Sequence, residues 1–201
     1  MYEKDIFYWI QFGATLLTSG SVLLMWLQMK KEYDCRRREQ TVQLAGRWSD
    51  NLQPNINRIK RVCEKLSSDQ CRKICNEEEF RVSSEIYLEI VRALQPKENQ
   101  QNINGDEECV VTEEMSSRMR SELIYYLNQL ETVLISWQHH IADDKIIEAQ
   151  FSFLMDDKEG KTILENFRRA CGSEKTYPAI EMYSQHLKKK REKSLKRKKK
   201  L

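Results

Sequence analysis

Glycine and proline are scarce, six and three in 201 residues. A chain this poor in both has few sites for tight turns, so helices are expected rather than a many-turned sheet. A phosphate-cradling loop needs clustered glycines, and these are spread out. There is no Gly-x-Ser-x-Gly and no kinase set. Cys-x-x-Cys and His-Glu-x-x-His are also missing, which removes the usual spacings for a zinc site. The expectation is a protein that is not an enzyme and needs no cofactor or metal.

Charge is absent from one long stretch. Ile6 to Met29 read IFYWIQFGATLLTSGSVLLMWLQM, 24 residues without an acid or base, and Lys30 and Lys31 follow at once. At about 1.5 Å per residue such a helix spans roughly 35 Å, enough for a hydrocarbon core of about 30 Å. A cleaved signal peptide needs a basic leader and a small-residue cleavage site. The leader here is MYEKD, and the stretch runs into Trp26, Leu27 and Gln28. A buried core helix rarely stays uncharged for so long. A retained membrane span at 6–29 is therefore expected.

The flanks orient it. Before the span lies only Lys4, between Glu3 and Asp5; after it come Lys30, Lys31, Arg36, Arg37 and Arg38. Positive residues stay on the cytoplasmic side. Residues 1–5 are expected outside the inner membrane and 30–201 in the cytoplasm. Phe7, Tyr8 and Trp9 would mark the outer interface and Trp26 the inner one.

Polar residues in the span are ordered. Gln11, Ala14, Thr18, Ser21, Met25 and Gln28 step by three or four, which defines one seam of a helix, with Thr15 beside it. Lipid offers no hydrogen bonds, so such a seam suits a second helix and a homo-oligomer through the span. The other reading is local: the hydroxyls bond their own backbone and the glutamines sit near the interfaces.

The net charge of +3 hides an asymmetry. Residues 188–201 hold ten basic residues and one Glu, a net of +9, so residues 1–187 carry 3 − 9 = −6. The bases are Lys188, Lys189, Lys190, Arg191, Lys193, Lys196, Arg197, Lys198, Lys199 and Lys200. Beside an anionic leaflet each contributes about 1 kcal/mol, screened beyond roughly 8–10 Å. The same tail would bind nucleic-acid phosphates without sequence preference. It lacks interleaved aromatics for base stacking. A plain solvated end is the third reading.

The body is expected to be all-α, a cytoplasmic helical bundle over 49–187 joined to the span by a juxtamembrane helix at 30–48. That helix either transmits rotation and tilt or is a plain stalk. Apolar periodicity predicts a helix at Asn55–Leu66. A short helix capped from Ser67–Asp69 and another at Ser84–Leu94, ended by Pro96, come next. Residues 96–111 are polar and read as a mobile loop. Thr112 caps the strongest helix, whose apolar face runs from Met115 to Ile141. Further helices follow Asp143 or Asp144, run through Ile163–Cys171 to a stop at Gly172, and open at Pro178. Asn128 and Glu131, one turn apart, read as a buried register pair or a ligand contact. His139, His140, Asp143 and Asp144 invite a metal, but adjacent histidines point about 100° apart on a helix. A polar helix end with an N-cap aspartate explains them. The six cysteines, placed in a reducing compartment, are expected to pack as small apolar groups.

The run Leu127 to Met155 resembles the central signature of an uncharacterised bacterial family of short single-span proteins with a helical cytoplasmic domain. The matching features are Leu127-Asn128-x-Leu130-Glu131, the acidic turn at Ala142 to Asp144 and the helix with Phe151. His139-His140 departs from the small turn expected there. The resemblance implies fold and topology and no activity. Proteins of this build occur in bacterial mobile elements and anti-phage modules. One functional expectation is thus a membrane effector or signalling element that disturbs membrane integrity in anti-phage defence. The other is an anchor or scaffold holding a cytoplasmic protein or nucleic-acid partner at the lipid bilayer.

Overall fold

The computed structural model describes residues 2–94, 108–152, 162–172 and 176–198; of 2–8, 10, 197 and 198 only the backbone is described. It is mostly helical. A 50-residue helix, α1 (Tyr2–Asn51), opens the chain. After it come α2 (Ile56–Lys65), α3 (Ser68–Asn76), β1 (Phe80–Val82) and α4 (Ser84–Leu94). The order closes with β2 (Cys109–Val111), α5 (Glu113–Gln138), α6 (Asp144–Phe151), α7 (Glu165–Ala170) and α8 (Pro178–Lys198).

The helix starts follow local chemistry. Ser67 and Gln70 form a reciprocal capping box at α3. The Thr112 hydroxyl accepts from the Met115 N–H, and Asp143 accepts from the Lys145 and Ile146 N–H groups. α7 begins later than its apolar periodicity predicts. Leu164 is left-handed at φ 49°, so Ile163 and Leu164 fill the core from the turn before the helix.

α5 is the centre of the body. Its Met119, Leu123, Tyr126, Leu127, Leu130 and Leu134 are each 0–1% exposed. α1, α2, α3, α4 and α8 all pack on it. At roughly 1.5–3 kcal/mol per buried large side chain, this face is the main source of cohesion.

The mostly helical body is consistent with the all-α expectation, and two details within it differ from the sequence reading. One is a short strand pair: β1 and β2 run antiparallel, with Phe80 opposite Val111 and Val82 opposite Cys109. β2 lies in what reads as the loop 96–111; residues 95–107 lie outside the described residues. Val111 is buried and alternates with exposed Val110, the period-two signature of a half-buried strand. It was masked by the polar run before it. The second difference concerns cysteine. Cys63 and Cys71 are buried as small apolar groups, but Cys75 and Cys171 form a disulfide that ties α3 to the end of α7. Their separation of 96 residues gave no sequence signal.

Candidate functional site

α1 is long and apolar enough to cross a membrane. None of its apolar window is buried, and Leu16, Leu17, Val22, Leu23, Leu24 and Met25 are all more than half exposed. An apolar surface of that size marks contact with a membrane or another protein. Trp9 and Phe12 meet edge to face, and the Lys30 ammonium lies 5.4 Å from the Trp26 ring centre.

Gln11, Ala14, Thr18, Ser21, Met25 and Gln28 lie along this helix, all exposed. The hydroxyls turn inward to the backbone. Thr15 donates to the Gln11 carbonyl at 2.8 Å, Thr18 to the Ala14 and Thr15 carbonyls, and Ser21 to the Thr18 carbonyl at 2.8 Å. Such bonds satisfy a hydroxyl without a partner helix.

Further along, the same helix is keyed into the body. Thr41 is 0% exposed. Its hydroxyl donates to the Arg37 carbonyl and accepts from the Asp143 backbone N–H, each at 2.7 Å. Asp143 in turn caps α6, and Arg38 lies 3.5 Å from its carboxylate. Partial burial pushes the Asp143 carboxyl up. Two backbone N–H groups and the guanidinium groups of Arg37 and Arg38 outweigh that and hold it below its ordinary value. One helical turn or two on, Ala45 is buried and Trp48 packs on Tyr126 and edge-on to Phe151. A hollow of about 350 Å³ opens beside this joint, lined by Gln40, Thr41, Leu44, Arg47, Ser136 and Ala142.

α8 is anchored at its start by a buried carboxylate. Glu131 accepts from the Ala179 N–H at 2.7 Å and the Ile180 N–H at 3.0 Å. These are free donors of a helix N-terminus, where negative charge is favoured. Asn128 is exposed, so the expected buried Asn128–Glu131 pair does not exist. Glu131 fixes a different register, that of α8 against α5. Arg168 braces the same helix: it donates to the Ile163 carbonyl and Thr162 hydroxyl and lies 3.6 Å from Glu181.

The basic residues continue α8 past Leu187, the last buried position. Lys188, Lys189, Lys190, Arg191, Lys193 and Lys196 are exposed on it. Lys190 and His186 both pair with Glu148 of α6. Burial pushes the Glu148 carboxyl up, yet the hydrogen bonds from Lys190 and His186 prevail and hold it below its ordinary value. Arg197 and Lys198 are placed by backbone alone, and Lys199 and Lys200 lie outside the described residues.

His139 ends α5, His140 is left-handed at φ 56°, and Asp143 caps α6. This is a polar helix end. Among the described residues no three His, Cys, Asp or Glu are grouped to hold a metal ion.

Two features escaped sequence reading. One is the Thr41–Asp143 joint, which links residues about a hundred apart. The other is a basic cleft of about 480 Å³ between α2 and α4, lined by Arg58, Arg61, Val62, Lys65, Glu89 and Arg92. Glu89 pairs with Lys65 at 2.8 Å. The i, i+3, i+7 spacing of Arg58, Arg61 and Lys65 was the available signal. Compared with protein-family models, characterised proteins and solved structures, the chain matches none.

Proposed function

We propose that this chain is a single-pass bacterial inner-membrane protein, N-terminus outside and body in the cytoplasm, acting as a signalling or effector element. The observation that carries the reading is the continuity of α1. One helix runs from the exposed apolar stretch through Lys30 and Arg38 to Thr41 and Trp48, with no break. Because α1 is unbroken and free of proline, a shift of the body at Asp143 or Trp48 is passed along one helix to the apolar stretch. Self-association along Gln11, Thr18 and Ser21 would be the output. If that output is loss of membrane integrity, as in anti-phage defence, overproduction depolarises the cell and arrests growth.

The second reading, an anchor for a cytoplasmic partner, draws support from the cleft of Arg58, Arg61 and Arg92, which suits an acidic protein segment. Membrane potential separates the two. Depolarisation on overproduction supports the effector; an inert membrane with a partner that co-purifies supports the anchor. Replacing Gln11, Thr18 and Ser21 together by Leu should weaken self-association in a membrane two-hybrid assay without blocking insertion. A reporter fused after Leu201 that works only in the periplasm would overturn both readings.

A further inference from the structure

The directions of two helices along α5 decide where the basic end of α8 goes. α8 runs the same way as α5: its first turn meets Glu131, and Tyr183 and His186 meet Trp137, six residues further along α5. α1 runs the opposite way: Trp48 packs on Tyr126, whereas Thr41 reaches Asp143, beyond the end of α5. The apolar stretch of α1 and the basic stretch of α8 therefore leave the body from one end, the C-terminal end of α5.

Their reach also matches. From Thr41 back to Met29, α1 covers twelve residues, about 18 Å. From His186 to Lys198, α8 covers twelve residues, again about 18 Å. Lys190, tied to Glu148, holds the root of that overhang in place. The last bases of α8 thus extend toward the side on which Met29 and Lys30 lie, where the apolar stretch of α1 ends.

From this geometry we propose that the basic end of α8 docks on the anionic headgroups of the membrane that α1 enters. The proposal rests on the membrane reading of α1. On that reading an anionic surface faces the side toward which these cations point, and it attracts them over a screening length of about 8–10 Å at ordinary salt. Binding elsewhere, to a free nucleic acid, would have to compete with a surface already in reach. Docking at two points, α1 and α8, fixes the tilt of the body. Release of the second point frees the body to swing on α1 alone.

Energy transfer in nanodiscs tests this with the full chain. A donor dye is joined after Leu201, and acceptor dyes are carried by the lipids. Transfer should be stronger in discs containing phosphatidylglycerol than in phosphatidylcholine alone, and the difference should shrink with added salt. The variant K193Q/K196Q/R197Q/K198Q leaves unchanged the positions of α8 up to Leu187, the last that is buried among the described residues. It should lower the docked-to-undocked ratio by about a hundredfold or more. Equal transfer in both discs from an inserted chain overturns the proposal and leaves the membrane reading standing. Displacement of the dye from anionic discs by a short RNA at equal phosphate concentration also overturns it, in favour of nucleic acid. A chain that carbonate washes off the discs overturns the membrane reading and this proposal with it.

Discussion

α1 is one helix with two different surfaces. Along Gln11–Met29 the exposed surface is mostly apolar, and Thr15, Thr18 and Ser21 spend their hydroxyls on carbonyls of the preceding turn. Along Thr41–Trp48 the helix is amphipathic: Thr41, Leu44, Ala45 and Trp48 face α5 and α6, while Val42, Gln43 and Arg47 face out. The Thr41 hydroxyl also bonds its own preceding turn, but it accepts a second bond from Asp143. A self-satisfied hydroxyl fits a surrounding that offers no partners. A doubly bonded one fits a packed joint, where the part-buried Asp143 N–H would otherwise be unpaired. The helix is continuous because nothing interrupts its backbone. Its two halves differ only in what their side chains offer.

The largest effect should come from charging the outer half. Arg at the centre of a span costs about 2.5–3.5 kcal/mol on the insertion scale, so L17R/L24R should cost about 5 kcal/mol or more. Carbonate extraction should move this variant from the membrane to the soluble fraction. Val42→Arg, on the outward side of the inner half, should leave both membrane retention and thermal stability unchanged. If the two variants behave alike, the halves do not differ as described.

The disulfide sharpens the comparison by asking, on the proposed membrane reading of α1, which side holds the body. Closing a loop of this length restrains the unfolded chain by up to about 4–5 kcal/mol. Purified under oxidising conditions, Cys75→Ser should lose stability on that scale; in reducing buffer it should differ from the parent by no more than about 1 kcal/mol. In cells, the cytoplasmic topology expects reduced thiols at Cys75 and Cys171, because that compartment keeps them so. Alkylation of intact cells with a membrane-permeant maleimide, read by mass spectrometry, checks this. A fully oxidised pair in cells would place the body outside and reverse the orientation drawn from Lys30 to Arg38.

What the sequence made legible was whatever repeats locally. The charge gap of Ile6–Met29, the Thr112 cap, the Pro178 start and the apolar face of α5 are all readable within a few residues. Contacts between distant residues were not. Glu131 looked like half of a pair with Asn128, because one turn of helix suggests that; its true partners are 48 and 49 residues away. β2 was hidden for a related reason. A three-residue strand needs β1, far back in the chain, before its alternation means anything. For the seam, spacing identified the residues that share a face, and it could not tell whether a hydroxyl serves its own helix or another.

One substitution made at both ends of α1 tests the central contrast at moderate size. Thr41→Val keeps the shape but removes the acceptor for the Asp143 N–H, leaving a part-buried donor unpaired. That should cost about 1–3 kcal/mol in chemical denaturation of the body. Thr18→Val removes only a bond to the helix itself and exposes nothing new. Insertion and stability should stay within about 0.5 kcal/mol of the parent. Equal costs at the two positions would mean that Thr18 has a partner outside its own helix, and the seam would then be the place to look for it.

The smallest effect concerns how the two overhanging helices are rooted. α1 is held at Asp143 and α8 at Glu148, and both carboxyls sit below their ordinary values. A carboxyl that is more acidic in the folded state stabilises the fold above its unfolded pKa, about 4 for these groups, and that contribution fades as pH falls through the lower folded value. Glu148 is about a fifth exposed and Lys190 more than half, so solvent screens the pair and its contribution should stay under about 1 kcal/mol. Glu148→Gln should therefore be slightly less stable than the parent at pH 7, and the gap should close as the solution is taken below about pH 4. The same variant should loosen the root of α8 and reduce transfer from the C-terminal dye in anionic discs, with α1 still inserted. A gap that persists unchanged at low pH would assign Glu148 a packing role in α6 and leave the polar anchoring of α8 to Glu131 and Arg168.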